Sequence, residues 1–458
     1  MTDIAKTLNL HRIELTNFRG LAECKVDLDP KLTVFVAENG RGKTAILDGV
    51  AGAVGYVVDG VAAIRQAAGF HSDDVRLVRG DKGQMLPILP TAFRADGYVF
   101  GQAVQWTRHL NKHSQRARTS TKDAENVRRL AEDIRKKVVG KESAVNREDL
   151  ILPLVAYYGT GRLWGEYRLT KWRSSSVSRQ DDRLSGYADC LSSLSSFKLT
   201  TAWYESKWRE AGDPRFKAEG KNTLSLISAI QAATNTVLEP TEWSGLNWNA
   251  AFKTLEVEHP QFGVLPMSSL SDGVRTMLAL VVDVARRCAT LNPQLGEDAA
   301  QKTPGILLID EVDMHLHPRW QQRVTDLLRR AFPSLQIILS THSPHVLSTV
   351  DKSSIRVVRL DSGIAHVETP EFQTRGVESA DVLSTIMGVD PVPKVEEASW
   401  LREYRGLIED SLATGERAID LRARLEKHFG SSHPVILDAD RLIRFQEFRL
   451  KKKPSENS

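Results

Sequence analysis

Three groups of residues in this 458-residue chain have the types and spacing that phosphate chemistry needs. The first is Val34–Leu47, VFVAENGRGKTAIL, where three apolar residues run into a loop that ends Gly42-Lys43-Thr44 and opens a helix. Strand, loop and helix in that order are the context of a phosphate-binding loop. Successive backbone N–H groups over Asn39, Gly40 and Gly42, together with the helix N-terminus, make a concave anion site. Lys43 reaches the β- and γ-phosphates of a nucleoside triphosphate, and the Thr44 hydroxyl ligates Mg²⁺. Ala37 stands where such loops usually carry their first glycine; alanine fits without strain provided φ is negative there. The second group is Gly305–Glu311, GILLIDE. Four consecutive aliphatics predict a strand buried on both faces, with the acids at its carboxyl end, where α/β sheets bind ligands. Asp310 is placed to hold Mg²⁺ through water, and Glu311 to accept a proton from an attacking water. A purely structural origin for two acids after four buried aliphatics would be costly. The third group, Ser271, Asp272 and Gly273 within SSLSDGVR, precedes a long apolar stretch, Met277–Cys288. It puts unpaired N–H groups and a positive dipole at a helix start, where a phosphate is favoured, although Ser-Asp-Gly is also an ordinary N-cap.

The elements that must carry these groups follow from the apolar patterning. Alternation in His11–Gly20 predicts a first strand, with a turn at Asn17–Gly20 and a second strand around Lys25–Leu28. Helical spacing continues from Asp48 to about Gly69. Tyr98, Phe100, Gln102, Val104 and Trp106 alternate as one half-exposed antiparallel strand would. Residues 108–147 are very basic, and Ala124–Val139 within them has helical spacing; the face is either solvated or a nucleic-acid or partner surface. Leu152–Tyr158 predicts another buried strand, and Ser174–Ser178 with Arg173, Arg179 and Arg183 a mobile basic loop. Helical spacing dominates Gly186–Leu238, Leu224 included; its aromatics, Trp203 and Trp208 among them, are expected in the core rather than as base-stacking platforms, and short strands follow over Trp243–Pro266. Gln336–Ser343 reads as a buried strand ending Ser340-Thr341-His342-Ser343. His315 and His317 in VDMHLHP do not share a helix face at their i, i+2 spacing, which argues against a metal site between them.

The L-x-N-F-R-G element at Leu15–Gly20, followed by E-N-G-x-G-K-T, resembles the ABC-type ATPases of the SMC, RecF and OLD group. The resemblance covers Arg12 to roughly Leu360 and implies an α/β fold: a P-loop NTPase of the ABC/SMC-head type, with a mixed sheet core, a helical second lobe and a small helical C-terminal extension. It also implies roles. Arg19 lies close to the nucleotide, where the alternative is a surface arginine at a turn. Ser271, Asp272 and Gly273 resemble the signature that contacts the γ-phosphate bound by another subunit, so a head-to-tail dimer would sandwich two ATP molecules. Asp313 is the contact in the dimer loop, and His342 the switch histidine that senses the γ-phosphate, rather than a satisfied core histidine. The family's glutamine near residues 159–162 is missing; Arg162 stands there as a candidate to face the phosphates.

This reading divides the chain into lobe I (1–165, with the insert 108–147), a helical lobe II (166–267), the rest of the ATPase (268–390) and a helical extension (391–458). Relatives of the OLD type carry a TOPRIM nuclease after the head. Asp438 and Asp440 in VILDADR have too little chain around them for that site, and read as a cap or turn. The tail beyond Arg449 is expected to fray. A short insert, EVDMHLHP and no nuclease motif of its own make the chain similar to the PtuA-like ATPases of Septu and retron anti-phage systems. That similarity implies ATP and Mg²⁺ as cofactors. Its implied partners are further copies of the chain, as a homodimer or higher oligomer, an HNH nuclease of the PtuB type, and a reverse transcriptase with its RNA/DNA product. The alternatives are a stand-alone RecF- or SMC-like repair ATPase, which predicts DNA-stimulated hydrolysis, and a transporter subunit, which the missing glutamine and the L-x-N-F-R-G start oppose.

Composition sets the remaining bounds. With 41% hydrophobic and 26% charged residues the chain reads as an ordinary globular protein. A net charge of +4 permits nucleic-acid contact without arguing for it. No apolar run approaches a membrane span, MTDIAKTLNL does not have a signal-peptide pattern, and Cys24, Cys190 and Cys288 are odd in number. A cytoplasmic protein with reduced thiols is expected.

Overall fold

The computed structural model describes residues 6–62, 70, 72–112, 120, 122–139, 150–161, 182–192, 197–212 and 217–452. Arg162, the basic loop at 173–179, and residues 113–119, 121 and 140–147 of the insert lie outside the described residues, as does the expected end of the first helix at 63–69. The chain divides into two compact units, Met1–Val382 and Leu383–Ser458.

In the first unit, β1 (Leu8–Phe18), β2 (Leu21–Asp27) and β3 (Leu32–Val36) lead into α1 (Lys43–Ala62). A separate ribbon, β4 (Leu77–Arg79) and β5 (Met85–Pro87), precedes the hairpin β6 (Thr91–Val99) and β7 (Gln102–Leu110). Next come α2 (Glu125–Val139), β8 (Leu154–Tyr158), α3 (Phe197–Gly212) and α4 (Lys217–Leu238). A three-stranded sheet of β9 (Ser244–Asn249), β10 (Thr254–His259) and β11 (Gly263–Pro266) is followed by α5 (Asp272–Leu291), α6 (Ala299–Lys302) and β12 (Gly305–Ile309). Helices α7 (Pro318–Gln321) and α8 (Val324–Ala331), strand β13 (Leu335–Thr341), helix α9 (Pro344–Leu347), β14 (Ile355–Asp361), β15 (Ile364–Glu368) and α10 (Ser379–Thr385) complete this part of the chain.

Ten strands form one sheet in the order β7-β6-β1-β2-β15-β14-β3-β13-β12-β8. Strands β14, β3, β13, β12 and β8 pair in parallel, and β3, β13, β12 and β8 are buried at every position. Their near-continuous aliphatic sequences are what burial on both faces requires. The wing β7-β6-β1-β2 is antiparallel and alternates buried with open positions, as a sheet with one wet face does. The fold class is the expected one.

Four expectations need correction. Tyr98–Trp106 is two strands: Phe100 and Gly101 both have positive φ, at 48° and 83°, and turn β6 back onto β7. That pair of left-handed residues gives the twist a two-residue hairpin needs, and a period-2 pattern cannot reveal it because both strands continue the alternation. Trp208 is exposed rather than in the helical core. In the second unit, α11 (Glu396–Glu409), α12 (Glu416–Phe429) and α13 (Pro434–Lys452) pack around Tyr404, Ile408, Leu421, Leu425, Ile436 and Ala439. Asp438 and Asp440 therefore lie inside α13 rather than at a cap or turn, and Arg422 forks onto Asp440. The apolar pair Ile436 and Ala439, three apart, was the helical signal in this stretch. The same helix continues through Arg449 to Lys452, where fraying was expected to begin, and the rest of that tail, 453–458, lies outside the described residues. Helix α1 is long and apolar enough by composition to cross a bilayer, but 78% of its apolar window is buried in the protein.

Candidate nucleotide site

The carboxyl ends of β3, β13 and β12 converge on one cleft of about 340 Å³. Arg19, Gly20, Leu21, Asn39, Gly40, Gly42, Lys43, Thr44, Glu311 and His342 line it. Gly40 and Gly42 have φ of 74° and 93°, which a side chain would strain, whereas Ala37 is not among the positive-φ residues and fits as expected. Lys43 opens α1 and donates from Nζ to the carbonyls of Ala37 (2.9 Å) and Glu38 (3.2 Å), so the ammonium already lies folded back along the loop it serves. Burial lowers the Lys43 pKa, opposed by the carboxylates of Asp310, Glu311 and Asp313.

Thr44 Oγ1 donates to Asp310 Oδ2 at 2.7 Å, joining the loop to the end of β12. Ser340 on β13 donates to the other oxygen, Asp310 Oδ1, and accepts the Glu311 N–H at 2.8 Å. Glu311 has φ of 48°, an uncommon state for a residue with a side chain, and this backbone bond fixes it there. A hydroxyl beside a carboxylate is the oxygen donor set that suits Mg²⁺, so these residues fit the ion.

Asp313 Oδ1 accepts from Thr341 Oγ1 (2.5 Å) and from the His342 N–H (3.3 Å). Its carboxylate thus ties the loop after β12 to the switch segment within the same chain. Burial lowers the His342 pKa, and the charge on Lys43 lowers it further against Glu311, Asp313 and Asp310. Both effects favour the neutral imidazole. Arg19 has φ of 51° and is clamped by Asp48 and by Asp74, the latter at 3.0 Å. Burial alone would lower its pKa, but Asp48 and Asp74 outweigh that and raise it.

Ser271 is the N-cap of α5, and Asp272 pairs with Arg275 at 2.6 Å. A Cβ on Gly273 would lie 2.5 Å from the His315 carbonyl oxygen, so only glycine lets α5 pack this closely on the 312–318 loop. None of Ser271, Asp272 and Gly273 lines the cleft. His317 caps α7, its Nδ1 accepting from the Arg319 N–H.

Sequence patterning assigned no role to Ser340, Asp48 or Asp74. Nor did it single out Asp283 on α5, which is buried at the hub of a network. Arg286 (2.6 Å), Arg287 (2.8 Å), Tyr158 (2.6 Å) and Thr200 (2.6 Å) all donate to it. The i+3 and i+4 arginines were the available signal.

A glycine-bearing loop, paired acids at the neighbouring strand end and His342, ordered on one mixed sheet, have the arrangement of a P-loop ATPase. One family model, described as "AAA domain", matches residues 12–239; another, "AAA domain, putative AbiEii toxin, Type IV TA system", matches residues 202–348. The chain is 24% identical to "Retron Vc95 probable ATPase" of Vibrio cholerae, over 92% of this chain and 88% of that one. It is 25% identical to "Retron Ec83 probable ATPase" of Escherichia coli, over 94% and 86%. It is 26% identical to "Septu protein PtuA" of Bacillus thuringiensis, over 38% and 44%. An SMC head structure covers 79% of the chain at 16% identity and a TM-score of 0.47. The chain is an ATPase, similar to the retron and PtuA ATPases.

Proposed function

We propose that the chain is the ATP-driven switch of a cytoplasmic anti-phage complex, in which two heads close on ATP and thereby control a separate HNH nuclease of the PtuB type. The observation that carries this reading is the separation within one chain: Ser271–Gly273 start a helix yet do not line the cleft that holds Lys43, Glu311 and His342. A second copy placed head to tail would bring its signature to the phosphate. The names of the retron and Septu relatives support the defence role, with a reverse transcriptase and its RNA/DNA product as further partners.

Each residue then has one task. Backbone N–H groups of 39–44 and Nζ of Lys43 bind the phosphates, while Arg19, clamped by two acids, faces the nucleotide from the rim. Thr44 and Asp310 would hold Mg²⁺, which when bound neutralises phosphate charge. Glu311 accepts a proton from the attacking water, its backbone fixed by Ser340. Neutral His342 donates a hydrogen bond toward the γ-phosphate, so closure depends on ATP rather than ADP.

Glu311→Gln traps the closed state. Light scattering should show the mass doubling, or rising further, when ATP and Mg²⁺ are added to this variant, with no change in a Lys43→Ala control. An unchanged mass under saturating ATP would rule out closure between heads.

A further inference from the structure

We propose that the C-terminal helix α13 carries a binding stripe for single-stranded nucleic acid, separate from the ATP cleft and from the basic insert. The second unit holds itself together with one face of α13, where Ile436 and Ala439 are buried. The other face has no part in that core. Leu437, Arg441, Arg444, Phe445 and Phe448 recur on it at spacings of three and four. Leu437 is 44% exposed, Phe445 56% and Phe448 59%.

Between residues 441 and 453 stand six basic residues and one acid, Glu447. The helix dipole accounts for lysines in the last turn, since cations are favoured there. It does not account for two phenylalanines more than half exposed, or for Arg441 and Arg444 further upstream. Arg441 pairs with Asp438 at 2.9 Å but its side chain is still largely exposed. Arg444 donates from Nε to the Asp440 carbonyl. The guanidinium of Arg449 stands 6.0 Å from the centre of the Phe445 ring.

Planar rings set among guanidinium groups are what unpaired bases and their phosphates recognise together: bases stack on the rings, and the arginines follow the backbone. Phe445 and Phe448 are about 4.5 Å apart along the helix axis, close enough to serve neighbouring bases of one strand. A duplex hides its base faces, so the stripe selects single strands. The surface does not depend on nuclease control, and its test does not touch the ATP site.

The probes are fluorescein-labelled dT20, rU20 and a duplex of equal length, titrated with the full chain by anisotropy at low and moderate salt. A single strand should bind more tightly than the duplex, with affinity falling as salt rises; whichever of dT20 and rU20 binds better assigns DNA or RNA. Phe445→Leu with Phe448→Leu should weaken binding about fivefold or more, whereas tryptophan at both positions should retain it. Arg441→Glu with Arg444→Glu should weaken binding and flatten the salt dependence. ATP turnover should match the unchanged chain in every variant. Three outcomes overturn the proposal: no binding of either strand at low salt; equal binding by the double leucine variant; or loss of oligomer mass in that variant while oligonucleotide binding stays the same. The last would make the stripe a protein interface.

Discussion

Two buried aspartates, each 1% exposed, show how one residue type serves opposite ends in this molecule. Asp283, in the middle of α5, is gripped by two guanidinium groups and two hydroxyls drawn from β8, α3 and α5 itself. Burial would raise its pKa, but the charges of Arg287 and Arg286 outweigh that and hold it far below the carboxylate range. Asp310, at the end of β12, instead takes hydrogen bonds from the hydroxyls of Thr44 and Ser340. Hydroxyls orient a carboxylate without bringing a counter-charge, as a carboxylate that is to hold a metal ion would need. The first aspartate fastens α5 to β8 and α3; the second joins the end of β12 to Thr44 and β13.

Exchanging each for its amide separates these roles, and the Asp310 change has the largest effect on turnover. Asp310→Asn should lower kcat by about a hundredfold or more, since metal stabilisation of phosphoryl transfer is worth several kcal/mol. Its melting temperature should hold or rise. A variant that hydrolyses ATP normally would remove Asp310 from the reaction.

Asp283→Asn should do the reverse, because it leaves two buried arginines without their counter-charge. Breaking such a pair costs about 3–5 kcal/mol. Because the folded pKa of Asp283 lies below its unfolded value, its contribution is complete above about pH 4 and is lost as pH falls from there through the folded pKa. The difference in melting temperature between the original chain and Asp283→Asn should therefore be constant near neutrality and shrink in acid. A constant difference down to pH 3 would show that the arginines do not hold that charge.

How legible these two residues were in the sequence differs for a physical reason. Asp310 follows four aliphatics in a local run whose backbone geometry sets its position, and the same holds for Lys43, Thr44 and Glu311. Local motifs of this kind can be read directly. Asp283 sits in an apolar helix, and its partners Tyr158 and Thr200 are 125 and 83 residues away, so only folding brings them together. Arg19 was legible, but the acids that clamp it, Asp48 and Asp74, were not. The turn at Phe100–Gly101 was missed because its strands share one alternation, and the acids of α13 because a short apolar run fits helix and strand alike.

A smaller change sharpens the contrast on the catalytic side. Ser340→Ala removes the hydroxyl that bridges Asp310 and the Glu311 backbone. Residues that orient metal ligands typically cost about 10–100-fold when lost. The fall should appear in kcat more than in ATP affinity, because Lys43 and the loop N–H groups are intact. A change confined to ATP affinity would mean that Ser340 shapes the phosphate loop rather than the hydrolytic pair.

The smallest effect is expected from Thr200→Val, which deletes one hydroxyl from Asp283 as Ser340→Ala deletes one from Asp310. The same chemical change should register in a different quantity. Arg286, Arg287 and Tyr158 keep their bonds to Asp283, so the cost is that of one hydrogen bond to a charged group, about 1–2 kcal/mol, seen as a lower melting temperature. Turnover per folded molecule should not move, since Thr200 lies on α3 and does not line the cleft. If turnover falls while melting does not, the network at Asp283 transmits to the nucleotide instead of merely fastening α5. Tyr158 would then be the connection, because its carbonyl accepts the Asp310 N–H at 2.8 Å while its hydroxyl holds Asp283.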